Sequence, residues 1–343
     1  MTEPSHSSIF EKAIAVTPID ADTYSAYLDP ACVLYRTAAT HFARKHTATD
    51  AEPRRGQWQG RIRSPEPIAF QITFQRRTFA GPAILTVQEI KLGARVSTIH
   101  VTLSQTPDED DAAGSEDRTK LEVKVLAYIT LAPPDMEEGP GVRGAGPWTD
   151  LASGLPQGSL RGGAIDFKAL AEDERDGEWR AGPPAPPSLH AAKHLKVYSP
   201  SSTLMPKTVE ERAGQAVDQW AQFSPGGTPA RWSNEAVVTS AGPAEKSGGA
   251  ALFGRVTTDQ GLMQFWYPTV TMNIDLKTRL PPGGVEWLYS RVVTRMVRGS
   301  RADLEVLILD QEGELVATST QVALVVDPAR NVKGRLQADS GKL

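Results

Sequence analysis

The hydrophobic pattern is clearest from Gln264 to Asp327. QFWYPTVTMNIDL, VEWLYSRVVTRMVRG, RADLEVLILDQEG and ELVATSTQVALVVD follow one another there, separated by PPGG, RGS and QEGE. Segments rich in β-branched and aromatic residues, partly alternating polar with apolar and punctuated by Gly and Pro, predict an antiparallel meander. An earlier stretch has the same outline. Pro67–Phe74 is followed by Arg77, AGP, ILTVQEIKLGARVSTIHVTLSQ and, after an acidic insertion, LEVKVLAYITLA. Pro268–Leu276, Arg279, PPGG and the later segments repeat that order. One repetition of a whole meander predicts two copies of one domain, not a solenoid.

Each sheet needs a cover for its apolar face. Asp29 and Pro30 precede ACVLYRTAATHFARKH, in which Val33, Leu34, Thr37, Ala38 and His41 recur at helical spacing, and Arg44, Lys45 and His46 suit the C-terminal end of the dipole. A helix is therefore expected over Ala31–His46. Trp232–Val238 takes the covering position in the second copy, with Asn234 and Glu235 at its start. A short strand is expected near Phe10–Val16, a strand opening the second copy at His194–Tyr198, and a docked strand or edge segment at Ala213–Phe223. The expected domains are 1–132 and 188–330, joined by a Pro/Gly-rich connection over 133–187 and followed by a tail over 331–343. Ile165–Leu170 is an apolar piece of that connection, and Trp148, Phe167 and Trp179 could anchor it to a surface.

Composition narrows the function classes. The chain has 343 residues, 37 Lys plus Arg against 41 Asp plus Glu, and a net charge of -4, which is no nucleic-acid footprint. A single cysteine, Cys32, excludes an intramolecular disulfide and a cysteine-based zinc site. The N-terminus lacks a signal-peptide core and no segment approaches a membrane span, so a cytoplasmic location is expected. The last three residues, Gly341, Lys342 and Leu343, have the outline of a peroxisomal address with glycine in place of serine, which keeps that location open.

The chain resembles the double-hotdog proteins of the acyl-CoA thioesterase II type, in their thioesterase-like branch. The resemblance rests on FQRRTFAGPAILTVQEIKLGARVSTIHVTLSQ (74–105), WYPTVTMNIDL (266–276), EWL (286–288) and LDQEGELVATSTQVALV (309–325). It implies an α+β fold, a double hotdog of two curved antiparallel sheets, each wrapped around a helix. It also implies a thioester hydrolase, or a biosynthetic enzyme derived from one, needing no cofactor. The substrate would be a small acyl or polyketide-like molecule, CoA-linked in the family's own case, and a homodimer is open. The machinery implied is an aspartate, a hydroxyl residue and a glutamine around one water. By motif the glutamine is Gln321 in TSTQVAL and the hydroxyl is Thr294 in SRVVTRM, groups able to orient water and an oxyanion.

Two positions depart from the family pattern. Where an aspartate is usual, YPTVTMN carries Thr271, which cannot act as a carboxylate base. Asp275 is the nearest replacement, about 13 Å along the strand. In place of a His-Gly-Gly turn the chain has Ser25, Ala26, Tyr27 and Leu28, so the pocket would be rebuilt around Tyr24 and Tyr27. Further candidates are His100 as an acid/base group, Trp266 against the acyl chain, and Arg95 and Arg301, matched between copies, for CoA phosphates. The six histidines offer no metal spacing. Hydrolysis of an acyl thioester in lipid or secondary metabolism is the leading expectation. Its alternative uses the same cavity for a non-hydrolytic step (cyclisation, dehydration or isomerisation) or simple binding, with a polyketide-like or terpenoid intermediate as ligand.

Overall fold

The computed structural model describes residues 9–27, 30–47, 66–79, 81–93, 95–107, 120–133, 165–177, 179–182, 194–201, 216–240 and 268–326. Trp148, Trp266, most of the acidic 106–120 stretch and the C-terminal tail lie outside them. The chain divides into two compact units, one of Met1–Glu138 with Asn331–Leu343, the other of Gly139–Arg330.

The N-terminal unit holds an antiparallel sheet in the order β1-β2-β4-β5-β6-β3. Its strands are β1 (Val16–Pro18), β2 (Thr23–Tyr27), β3 (Glu66–Phe74), β4 (Pro82–Lys91), β5 (Ser97–Gln105) and β6 (Glu122–Ala132). Alternation decides the faces: Leu85, Val87, Ile99, Val101, Leu103, Ala127, Ile129, Phe70 and Ile72 are buried, while Tyr128 on the other face is half exposed. The buried face receives a helix, α2 (Pro30–Thr47), which packs against β3 to β6. Leu34, Ala38, His41 and Phe42 form its buried stripe, and Tyr35 stacks on Phe70 with ring centroids 6.1 Å apart. Pro30 sits in the first turn, where its missing N–H costs nothing. The Phe10–Val16 expectation is corrected. Ile9–Ala13 is a short helix, α1, and strand begins only at Val16.

The C-terminal unit repeats the plan. Its strands are β7 (Arg175–Asp176), β8 (Trp179–Ala181), β9 (Leu195–Pro200), β10 (Ala216–Phe223), β11 (Thr269–Leu276), β12 (Trp287–Arg298), β13 (Arg301–Leu309) and β14 (Leu315–Leu324), in the order β11-β14-β13-β12-β10-β9-β8-β7. Phe167–Asp173 forms a short helix, α3, capped by the Asp166 carboxylate, which accepts from the Lys168 and Ala169 N–H groups. Asn234–Ser240 forms a second, α4, with Ala236, Val237 and Val238 buried. Residues 165–181 thus lie on the C-terminal sheet. Phe167 meets Trp220 and Trp287 at 4.9 and 5.2 Å, and Leu170 and Trp179 join Tyr198, Tyr289, Leu307 and Leu309 in one apolar cluster. We call this the outer face, and the face away from it the inner one. β12 is consequently buried on both sides, from Trp287 to Val292 and at Thr294.

The register exposes the duplication residue by residue. β3 slips against β6 between Pro67 and Ala69, and β11 against β14 between Thr269 and Thr271. β4 slips against β5 between Glu89 and Lys91, as β12 does against β13 between Thr294 and Met296. β5 slips against β6 at Leu103/Ser104, as β13 does against β14 at Ile308/Leu309. A bulge inserts one residue and bends its strand. Its recurrence at three matched places makes Ile129 the equivalent of Gln321, Ile99 of Leu304, Phe70 of Met272 and Glu89 of Thr294.

Candidate functional site

One row crosses the inner face of the C-terminal sheet. Thr294 pairs with Leu304, Leu304 with Gln321 and Gln321 with Met272, and each of the four is at least 95 % buried. Directly paired residues share a face, so Thr294 and Gln321 point the same way, two strand spacings or roughly 10 Å apart. Ser290 and Ser319 add hydroxyls to this face, both buried. The Gln321 Nε2 donates to Ser319 Oγ at 3.4 Å. Four polar side chains therefore interrupt a surface otherwise made of Leu288, Val292, Leu304, Val306, Ile308, Met272, Ile274 and Ala317. In the N-terminal row the equivalents are Glu89, Ile99, Ile129 and Phe70, apolar except at the first position.

The bulge between Thr269 and Thr271 decides which threonine belongs here. Thr269 pairs with Ala323 on the inner face, whereas Thr271 pairs with the partly exposed Val322 on the outer one. Thr269 is then a diagonal neighbour of Gln321, about 7–8 Å away, within reach of a long side chain. Period-two alternation would put Thr269 and Thr271 on one face, and only the bulge separates them. Asp275 pairs with Thr318, is exposed, and is bonded to Lys277 Nζ at 3.2 Å, so it is not brought together with Gln321.

The remaining candidates scatter. Tyr24 is fully buried, and its hydroxyl meets His41 Nδ1 at 3.0 Å. Tyr27 ends β2 opposite Pro82. His100 lies on the outward face of β5, its ring 4.8 Å from that of Tyr128, and desolvation holds its pKa below the usual histidine value. Arg95 and Arg301 are both exposed, and the register corrects their pairing: Arg301 is equivalent to Val96, one residue on from Arg95.

Comparison with known proteins agrees with this plan. The acyl-CoA thioesterase N-terminal domain matches residues 30–132, and the acyl-CoA thioesterase C-terminal domain matches 168–325. The thioesterase-like protein TwmA of Talaromyces wortmannii is 30% identical over 352 residues, covering 95% of this chain and 94% of that one. Among solved structures, a thioesterase II-type protein of Thermobifida fusca is 18% identical with a TM-score of 0.56, covering 92% of this chain and 97% of its own. The tesB protein of Mycobacterium avium is 14% identical with a TM-score of 0.53, at the same coverage. The structures speak for the fold; the domain matches and the curated relative speak for descent. The repeated meander, the matched bulges and these likenesses lead to one conclusion: the chain belongs to the double-hotdog acyl-CoA thioesterase-like family.

Proposed function

We propose that the protein hydrolyses an acyl-CoA thioester on the inner face of its C-terminal sheet, with Gln321 as the central group. The supporting observation is the polar row itself. An amide and two threonine hydroxyls occupy a buried sheet face whose N-terminal equivalent carries Ile129 and Ile99. Burying such groups is costlier than an apolar row even where they find hydrogen-bond partners. In this reading the Gln321 side-chain carbonyl accepts a hydrogen bond from the attacking water, whose proton passes to solvent, and the Thr294 hydroxyl donates to the oxyanion that forms as the thioester carbonyl becomes tetrahedral. The thiolate of CoA leaves when that intermediate collapses.

Several described carboxylates of this unit are held away from the row by ion pairs or turns. Asp218 is held by Arg291, Glu286 by Arg231, Glu305 by Arg295 and Asp275 by Lys277. Asp303 pairs with Val322 on the outer face, Asp310, Glu312 and Glu314 belong to one turn, and the acidic residues of 166–176 lie on the covering segment.

Free CoA release from a panel of short, long and aromatic acyl-CoAs tests the reading. Gln321→Ala is expected to lower kcat/KM by roughly 10²–10³, the usual cost of losing one such group. Thr271→Asp, on the far face, should bring no gain. No turnover by the wild type across the panel, or full turnover by Gln321→Ala, would refute hydrolysis at this row.

A further inference from the structure

In the N-terminal unit the position equivalent to Thr294 carries a carboxylate, Glu89, in place of a hydroxyl. Its strand slips against β5 immediately after it, between Glu89 and Lys91. Bulges re-aim side chains and recur beside active sites. Here Glu89 Oε1 lies 3.1 Å from His41 Nε2, and His41 Nδ1 lies 3.0 Å from the Tyr24 hydroxyl. The three come from β4, α2 and β2, so the fold, not local sequence, assembles them. With the Tyr24 hydroxyl donating a hydrogen bond to Nδ1, the imidazole N–H is at Nε2 and donates a hydrogen bond to Glu89. The tautomer follows from the network.

Burial is graded along the relay. Tyr24 and His41 are 0% exposed, while the Glu89 side chain retains 26%. The carboxylate is thus the member that a small molecule can touch, and the imidazole and phenol stand behind it. Phe42 packs edge-on against His41 with centroids 5.8 Å apart, and the Arg44 guanidinium carbon lies 5.7 Å over the Tyr24 ring. Arg44 also donates to the Asp20 carbonyl at 3.1 Å. Arg44 of α2 is thus a charged group set against the phenol end of the relay. A helix and a sheet are held together more cheaply by apolar side chains than by a buried imidazole and phenol.

We propose that Tyr24, His41 and Glu89 form a second acid–base site, in the N-terminal unit, with Glu89 as the group that exchanges protons with an acyl thioester at its α-carbon. One oxygen of Glu89 takes the α-proton. The C–H bond breaks, its electron pair moves into the thioester carbonyl as an enolate, and an O–H bond forms on Glu89. His41 keeps its hydrogen bond to Oε1 throughout and fixes which oxygen is used, so it is a positioning residue. Return of a proton to the α-carbon restores the thioester with no net redox change. The proposal shares its substrate class with the hydrolytic reading but uses none of that row's residues.

The experiment is hydrogen exchange in D2O, with butyryl-CoA and phenylacetyl-CoA as probes and intact acyl-CoA mass as the readout. The wild type should incorporate α-deuterium well above the enzyme-free blank. Glu89→Gln, close in shape, should lower the rate by roughly 10²-fold or more, and Glu89→Asp should recover part of it. His41→Asn should displace the pH profile of exchange, which a purely structural role would not do. Exchange at the blank rate in the wild type, or exchange undiminished in Glu89→Gln with its circular dichroism unchanged, would overturn the proposal. Free CoA is measured in the same samples. Exchange without CoA release supports this site while refuting the hydrolytic one, and CoA release without exchange does the reverse.

Discussion

At the scale of single residues, the strongest electrostatic contact described is structural. Asp218 accepts from Arg291 Nε at 2.6 Å, from Arg291 Nη2 at 2.9 Å and from the Tyr289 hydroxyl at 2.5 Å. Both charged side chains are nearly buried, at 12% and 8% exposure. Burial and the neighbouring Asp218 charge push the Tyr289 phenol far above its usual range, so it stays a donor. Removing one partner of such a pair leaves an uncompensated buried charge. Arg291→Ala is expected to cost about 3–5 kcal/mol in urea denaturation, whereas Asp218→Leu with Arg291→Met and Tyr289→Phe, which removes every partner together, should be near neutral. A loss below about 1 kcal/mol for the single change would show Asp218 to be hydrated. The Arg295–Glu305 pair, more than 40% exposed on each side, contributes little.

At the scale of elements, turns and bulges place the side chains that the strands then hold. The PPGG turn before β12 shows how specific that is. Gly284 has a φ of +66°, and a Cβ added there would meet the Trp232 carbonyl oxygen at 2.4 Å. That carbonyl is already bonded to the Val285 N–H, and Arg231 donates to both the Gly283 and Gly284 carbonyls. Gly283, its neighbour, has nothing within 4 Å of such a Cβ. Gly284→Ala should therefore lose at least the roughly 1–3 kcal/mol of a strained backbone, while Gly283→Ala should stay within about 0.5 kcal/mol. Thermal midpoints of the two variants give the comparison. Equal midpoints would mean that the turn adapts.

At the scale of the whole molecule, one architecture has been used twice with different chemistry on matching rows. Glu89, Ile99, Ile129 and Phe70 answer to Thr294, Leu304, Gln321 and Met272. Where the N-terminal row is core, shortening it should affect stability alone. Ile129→Val should cost about 0.5–1.5 kcal/mol and leave CoA release per folded molecule unchanged, the opposite of what is expected for Gln321→Ala. Parallel denaturation and CoA-release assays separate the two. A turnover defect in Ile129→Val would show that the row is not merely core. Among the described residues no helix is long and apolar enough to cross a membrane.

The sequence by itself determined the duplicated antiparallel meander and a long helix, expected over Ala31–His46 and found at Pro30–Thr47, because alternation, Gly/Pro punctuation and helical spacing are local signals; the family entered through motifs that resemble it. It also singled out Gln321 as a candidate, through the motif around it. Only tertiary structure decided which hydroxyls share a face with that amide. A single bulge puts Thr271 on the outer face and Thr269 on the inner one, and in a stretch as mixed as PTVTMN no alternation marks where the extra residue sits. The joining of Tyr24, His41 and Glu89 spans 65 positions of sequence and follows from packing a helix on a sheet. The same holds for residues 165–181. Their Pro/Gly-rich surroundings read as a connection, yet Phe167, Leu170 and Trp179 find on the outer face of β9, β10 and β12 an aromatic surface that no local pattern advertised.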